Sequence, residues 1–273
     1  MNLTKLLKED QTVKEIFSKI KKPTILFSKE ILVPPTSSNY ATNIGIAFDY
    51  LVRFYVEFIN KGKTYSREKW VAEKAAEFLG NNKADTAVST ARKEYARFLD
   101  SGRLSENLII SVLGLAPLDI YARSGQFFEE SLYNIDSKCV DEIKNLYDIL
   151  DDKMWKCSKA AILNPLLSNW GIAPNVTGAD ADIILDDILI DIKTSKTEGI
   201  SKQDFNQIIA YYILAELLID NKDFAYNHLV CQQNVRLKKV GIYKARYGEL
   251  LTYDIGDILT EKDVFDIKSV FTK

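Results

Sequence analysis

Apolar residues recur three and four positions apart through most of the first 150 residues, the spacing of amphipathic helices. The opening stretch "MNLTKLLKEDQTVKEIF" predicts a helix of mixed charge. Residues 39–60, "NYATNIGIAFDYLVRFYVEFIN", predict a longer one, with "PPTSSN" ahead of it supplying a breaker and capping residues. "SREKWVAEKAAEFLG" (66–80) ends on a glycine, as a helix C-terminus often does. "KADTAVSTARKEYARFLDSG" (83–102) repeats that pattern, and "VDEIKNLYDILDD" (140–152) adds a further helix.

From about Lys156 the period changes. "KCSKAAILNPLL" reads as a strand, followed by a loop containing Pro174 and Gly178. A hairpin comes next, then a helix over 202–219 and β-like segments around "HLVCQQNV" and "KVGIYKARYGELLTYDI". A last amphipathic helix is expected near 261–271. The order predicts α/β or α+β architecture: a mainly helical region over 1–155 and a strand-rich core over 156–273, or one continuous domain.

The hairpin "GADADIILDDILIDIKTSK" (178–196) carries the chemistry. With Asp186-Asp187 as a two-residue turn, Leu185 pairs with Ile188, Ile184 with Leu189, Ile183 with Ile190 and Asp182 with Asp191. Farther out, Ala181 meets Ile192 and Asp180 meets Lys193. Alternation then gives one apolar face, Ala181, Ile183, Leu185, Ile188, Ile190 and Ile192. The other face gathers Asp180, Asp182, Ile184, Leu189, Asp191 and Lys193, and a one-residue slip would scramble the separation. Like charges directly opposed across strands are destabilising. A divalent cation is the simplest reason for Asp182 to face Asp191, since Mg²⁺ takes carboxylate oxygens and keeps several waters. Lys193, on the same face, is placed to orient a water or to meet developing negative charge. The plain alternative is a hairpin face whose aspartates point into solvent.

Composition narrows the classes. The net charge of −2 argues against a general nucleic-acid coating protein but leaves room for an acidic metal centre with a local basic rim. No apolar run approaches a membrane span, which needs about 18 residues. The N-terminus does not read as a signal peptide, so a cytoplasmic protein is expected. Cys139, Cys157 and Cys231 are far apart and imply neither a disulfide framework nor a metal knuckle. His228, the single histidine, excludes a multi-histidine zinc site. No Walker-type phosphate loop occurs.

The residues at the hairpin resemble the PD-(D/E)XK nuclease superfamily, in which an acid opens one strand and (D/E)-x-K follows on its neighbour. Here these are Asp182 and "DIK", Asp191-Ile192-Lys193; Asp180 is the alternative first acid, and the facing-pair argument favours Asp182. "DFNQIIAYYILA" places Gln207 and Tyr211 in the Q-x-x-x-Y spacing of the RecB-like branch, on one helix face. "GIAFDYLVR" (45–53) resembles that branch's G-T-x-x-H helix, with Asp49 where the family has histidine; Asp49 is either a further hard ligand or a polar residue on a core helix. The resemblance implies a restriction-endonuclease-like mixed sheet flanked by helices, with an N-terminal helical elaboration.

It also implies a Mg²⁺- or Mn²⁺-dependent deoxyribonuclease serving DNA repair, processing or phage defence, with a helicase or other repair or defence protein as possible partner. Asp182, Asp191 and the Ile192 carbonyl would bind metal, joined by Asp49, and Lys193 would activate water, with Gln207 and Tyr211 supporting the site. Three scattered cysteines do not suit the iron–sulfur cluster that some members hold. Lys196 and Lys202 flank the site. The segment "RLKKVGIYKARYG" interleaves Arg236, Lys238, Lys239, Lys244 and Arg246 with Tyr243 and Tyr247. Such a mix can grip nucleic acid by phosphate pairing and stacking, or form the solvated face of a strand. Trp70, Trp155 and Trp170 are expected in packing roles. The alternatives to a nuclease are an adaptor that keeps the fold and binds nucleic acid without cutting it, and a different metal-dependent hydrolase using the same acids.

Overall fold

The computed structural model describes residues 1–24, 30–36 and 39–273; Ser37 and Ser38 of the expected capping stretch lie outside them. The N-terminal amphipathic segment forms two helices, α1 (Leu3–Glu9) and α2 (Gln11–Lys19). The break is at Asp10, whose carboxylate accepts the Val13 N–H at 2.9 Å and caps α2. Helix α3 (Ala41–Ile59) matches its pattern. The segment expected as a helix over 66–80 divides instead into the end of β1 (Thr64–Ser66) and α4 (Val71–Leu79). There the Glu73 carboxylate accepts the Trp70 N–H at 2.6 Å and fixes the start of α4. Gly80 and Gly102, at φ +60° and +69°, end α4 and α5 (Asn82–Ser101) as left-handed caps.

Helix α6 (Glu106–Ser124) was not evident from the pattern. Its middle, Leu108 to Leu118, is buried apart from Ile110 and apolar apart from Ser111, so helical periodicity has little to register against. Then follow α7 (Ser137–Asp148), α8 (Asp152–Trp155), β2 (Ala161–Leu163), β3 (Ile183–Leu185), β4 (Ile188–Lys193) and α9 (Lys202–Asp220). The "HLVCQQNV" segment, expected to be β-like, is the short helix α10 (Leu229–Gln232) and a turn. Strands β5 (Lys239–Lys244) and β6 (Glu249–Asp254) close the sheet, and α11 (Ile255–Ile258) and α12 (Glu261–Phe271) complete the chain.

The architecture is α/β. One mixed open sheet has the order β1-β2-β3-β4-β5-β6, with β1/β2 and β4/β5 parallel and the other joins antiparallel. Parallel joins require crossovers. The one between β1 and β2 contains α4 to α8, and the one between β4 and β5 contains α9 and α10. They cover opposite faces: Leu163, Ile183, Leu185, Ile190 and Ile192 pack with α3 to α8, while Ile162, Ile184, Leu189, Val240 and Ile242 pack with α1, α2, α9 and α12. The single alternation along each strand therefore feeds two cores. No helix among the described residues is long and apolar enough to cross a membrane.

The β3–β4 hairpin forms in the expected register, Ile183 opposite Ile190, Ile184 opposite Leu189 and Leu185 opposite Ile188. Asp186 occupies the left-handed region at φ +54°, which aspartate tolerates better than most residues. Its carboxylate accepts the backbone N–H groups of Ser158, Lys159 and Ala160 at 2.8, 2.6 and 3.1 Å, tying the turn to the approach to β2. The outward extension departs from expectation. Beyond Ile183 the chain leaves β4: Ala181 donates to the Pro165 carbonyl at 3.2 Å, and Asp180 forms an antiparallel bridge with Leu166. Ala181 accordingly packs with Ile184 and Leu189, not with the Ile183 face.

Asp186→Ala removes three charge-assisted hydrogen bonds and leaves in the left-handed region a residue that tolerates it less well. Urea unfolding should give a loss of about 2–4 kcal/mol, and Asp186→Asn, which keeps an acceptor, a smaller one.

Candidate active site

Two walls meet beyond the end of β3. One is the sheet with α9 behind it, and the other is α3 with α6 behind it. Gly45 lets them approach: a Cβ there would lie 3.2 Å from Thr194 Oγ1, just past β4. Between the walls is a cavity of about 250 Å³, lined by Asp182, Asp191, Ile192 and Lys193 from the hairpin, by Gln207 and Tyr211 from α9, and by Asp49 from α3. All seven residues expected at the metal and catalytic centre therefore share one cavity.

Asp191 is 3% exposed. Asp182 lies just before β3, where its carboxylate accepts the Ile192 N–H at 2.6 Å and its carbonyl accepts the Asn164 N–H at 2.7 Å. Lys193 Nζ stands 2.6 Å from Asp191 Oδ2 and 3.8 Å from Asp204 Oδ1, and donates to Gln207 Oε1 at 3.0 Å. Gln207 in turn donates to the Tyr211 hydroxyl at 3.4 Å and to Thr4 Oγ1 at 3.3 Å, so α1 helps to fix its amide.

Burial sets the electrostatics. It pushes the Asp191 carboxyl up to about 7 despite Lys193, with Asp182 adding repulsion. Burial also raises Asp182, and Asp49 raises it further. For Lys193 burial opposes the charge, but Asp191 and Asp182 outweigh it and hold the ammonium above the ordinary lysine range. Lys193 is therefore a fixed cation and is ill suited to act as a general base.

Asp49 is occupied by its own helix. Arg53, one turn on, binds its Oδ2 at 2.6 Å, while Oδ1 is buried without a hydrogen-bond partner. The Arg53 guanidinium lies 4.4 Å from the Tyr50 ring, and the Tyr50 hydroxyl donates to Asp119 Oδ2 at 2.5 Å. Asp180, the alternative first acid, is held by Arg67. Among the described residues no group of three or more His, Cys, Asp or Glu side chains is already disposed to hold a metal. Asp182 and Asp191 line the cavity as further carboxylates, although the strand pairing itself stops at Ile183 opposite Ile190. Such an all-oxygen set suits Mg²⁺, which binds through one or two carboxylates and retains water.

The expected basic rim is only partly present. Lys196 and Lys202 are exposed, Lys202 donating to the Ile20 carbonyl. Lys244 and Arg246 are 1% and 2% exposed and cannot meet a phosphate at the surface. Lys244 Nζ donates to the Thr197 carbonyl at 2.6 Å. Arg246 donates to the carbonyls of Thr194 and Val33 and pairs with Glu142 at 2.5 Å. Tyr243 and Tyr247 are buried as well. Arg236 and Lys238 are exposed, but with Lys239 they lie at or before the start of β5, opposite Ile188. That is five residues, about 16 Å, from the Lys193 end. Lys238 faces Asp187 at 3.8 Å and Lys239 faces Asp254 at 3.6 Å.

Several site residues were missed in the sequence. Arg53, Asp119 and Arg123 also line the cavity. Asp49–Arg53 and Asp119–Arg123 are ion pairs one helical turn apart, a spacing that could have been read. Asp204, in the first turn of α9, is capped by Ser201. Arg67 reaches Asp180 across 113 positions, and no local pattern announces that pair.

The raised carboxyls give a signed prediction. The folded state holds the Asp191 proton more tightly than the unfolded chain, so the stability this group contributes at low pH is lost as pH rises through about 7. In EDTA the melting temperature should fall between about pH 4 and about pH 7 and level off above. Asp191→Asn should flatten that slope and melt higher than wild type at the alkaline end. Added Mg²⁺, competing with protons for the same oxygens, should raise the wild-type melting temperature most at high pH.

Compared with protein-family models, with curated proteins and with solved structures, the chain matches none.

Proposed function

We propose that the chain is a metal-dependent nuclease of the PD-(D/E)XK type, RecB-like in its helix motifs and restriction-endonuclease-like in its core, that hydrolyses phosphodiester bonds of DNA. The observation that carries this reading is the convergence on one cavity of Asp182, of Asp191 and Lys193 two apart on β4, and of Gln207 from α9, which accepts from Lys193 Nζ at 3.0 Å. A merely solvated hairpin face would not bury Asp191 or hold the lysine from three sides.

Asp182 and Asp191 would hold Mg²⁺ or Mn²⁺, with the Ile192 carbonyl a further oxygen. The bound cation would supply Lewis-acid polarisation and a more acidic water. Lys193, kept charged by Asp191 and Asp182, offers its N–H donors to negative charge developing on a phosphoryl oxygen or to the water that attacks it. Gln207 fixes the direction of that ammonium, and Tyr211 and Thr4 fix Gln207.

Purified protein is assayed on single- and double-stranded, linear and circular DNA with Mg²⁺, Mn²⁺ or EDTA. Cleavage should require the cation. Lys193→Ala should reduce it about 10²–10³-fold, the cost of losing one preorganised charge donor, and Gln207→Ala by less. Metal binding and DNA binding without any cleavage would replace the nuclease by the adaptor.

A further inference from the structure

Away from the catalytic cavity, three large aromatic side chains stand in solvent on neighbouring loops. Trp170 is 78% exposed, Phe224 65% and Tyr226 65%. Phe224 lies against the Trp170 loop: a Cβ at Gly171 would fall 2.3 Å from its ring, and Tyr226 follows two residues on. His228, two residues after Tyr226, is 3.2 Å from the Asn169 side-chain amide and 3.0 Å from the Leu166 carbonyl, which ties the two loops together. A cluster of this kind on the surface marks an interaction site.

A run of hollows leads from the catalytic cavity to His228, whose ring meets Asn169 next to Trp170. The cavity shares Arg53 and Asn164 with a narrow neck of about 20 Å³. The neck shares Ser66, Arg67 and Lys69 with a hollow of about 550 Å³ that reaches Lys74, Leu166 and His228. That outer hollow carries Arg67, Lys69 and Lys74 against Glu68, a local positive excess on a chain of net charge −2. Arg67 stands at the junction. One of its terminal nitrogens holds Asp180, while its Nε is buried without a hydrogen-bond partner. Lys69 pairs with the exposed Glu77, a pair of little energetic worth that a phosphate can replace.

We propose that a single nucleic-acid strand approaches the catalytic cavity along this groove, its phosphates on Arg67, Lys69 and Lys74 and its bases stacked on Trp170, Phe224 and Tyr226. The proposal rests on the nuclease reading and adds the substrate class, single-stranded over duplex. Cationic side chains beside stacking platforms are what an unpaired strand uses, because its bases present free π-faces. A duplex keeps those faces stacked internally. The basic residues expected around β5 play no part in this track.

Tryptophan emission tests it directly. Trp155 is 0% and Trp70 9% exposed, so quenching by acrylamide reports Trp170. In EDTA, oligo(dT) should quench that emission and shield Trp170 from acrylamide, whereas a hairpin duplex of equal charge should not. Trp170→Ala should weaken oligo(dT) binding, followed by anisotropy, about 10-fold or more, the loss of one stacking platform; Trp170→Phe should restore it. Gly171→Ala, which displaces the Phe224 ring without removing an aromatic group, should weaken it too. No quenching at saturating oligo(dT), equal binding of the duplex, or an unaffected Trp170→Ala would overturn the proposal. Hydrolysis of bis(p-nitrophenyl) phosphate, which needs no groove, separates the two claims. If Lys193→Ala abolishes it while oligo(dT) never touches Trp170, the nuclease stands and the groove falls. If oligo(dT) quenches Trp170 and nothing is hydrolysed, the groove stands and the nuclease falls.

Discussion

The β3–β4 register is the constraint on which the rest depends. Because alternate side chains feed two separate cores, a slip of one residue would send Ile183 and Ile190 to the α9 side and Ile184 and Leu189 to the α3 side, emptying both. The same register places Asp191 and Lys193 on the cavity side. Asp186 pins it by gripping three N–H groups from the approach to β2, so a turn of weak intrinsic preference becomes definite. Fold and candidate chemistry are thus decided by one pairing.

That arrangement is costly to the folded chain. Asp191 is buried and Asp182, half-buried, adds repulsion to it, which the ammonium between Asp191, Asp204 and Gln207 offsets in part. Removing one partner would leave the other buried and uncompensated, whereas a cation would relieve both carboxylates together. A protein selected for stability alone would put apolar side chains here, as it does at every other inward position of the hairpin. That cost is the one expected of the proposed metal site.

Legibility in the sequence followed the range of the interactions. The hairpin, α3, α5 and α9 were readable because period and capping are local signals. The Asp182, Asp191, Lys193, Gln207 and Tyr211 set was readable because its members lie on elements whose faces can be counted. Helix α6 was not, being apolar on nearly every side, and β1 was hidden in three residues before a strong helical pattern. Lys244 and Arg246 were misjudged for a related reason. A basic residue in a strand looks solvated until the partner that buries it, here Glu142 from α7 or the Thr197 carbonyl, is brought up from elsewhere in the chain. Trp170 reversed the error, since an aromatic in a loop suggested packing and it stands in solvent.

Arg246 ties together parts of the chain that the sheet does not connect. Its guanidinium spans the carbonyl of Thr194, immediately after Lys193, the carbonyl of Val33 and the carboxylate of Glu142, which also accepts from the backbone and hydroxyl of Thr36. Only a planar fork with several donors reaches all of these at once, so lysine is no substitute. The exit of β4 is therefore moored to two distant stretches of sequence by a joint too deeply buried for salt to loosen. A heritable change at Glu142, far from the cavity, would register as a fault in the alignment of Lys193, and a search confined to the cavity lining would never find its origin.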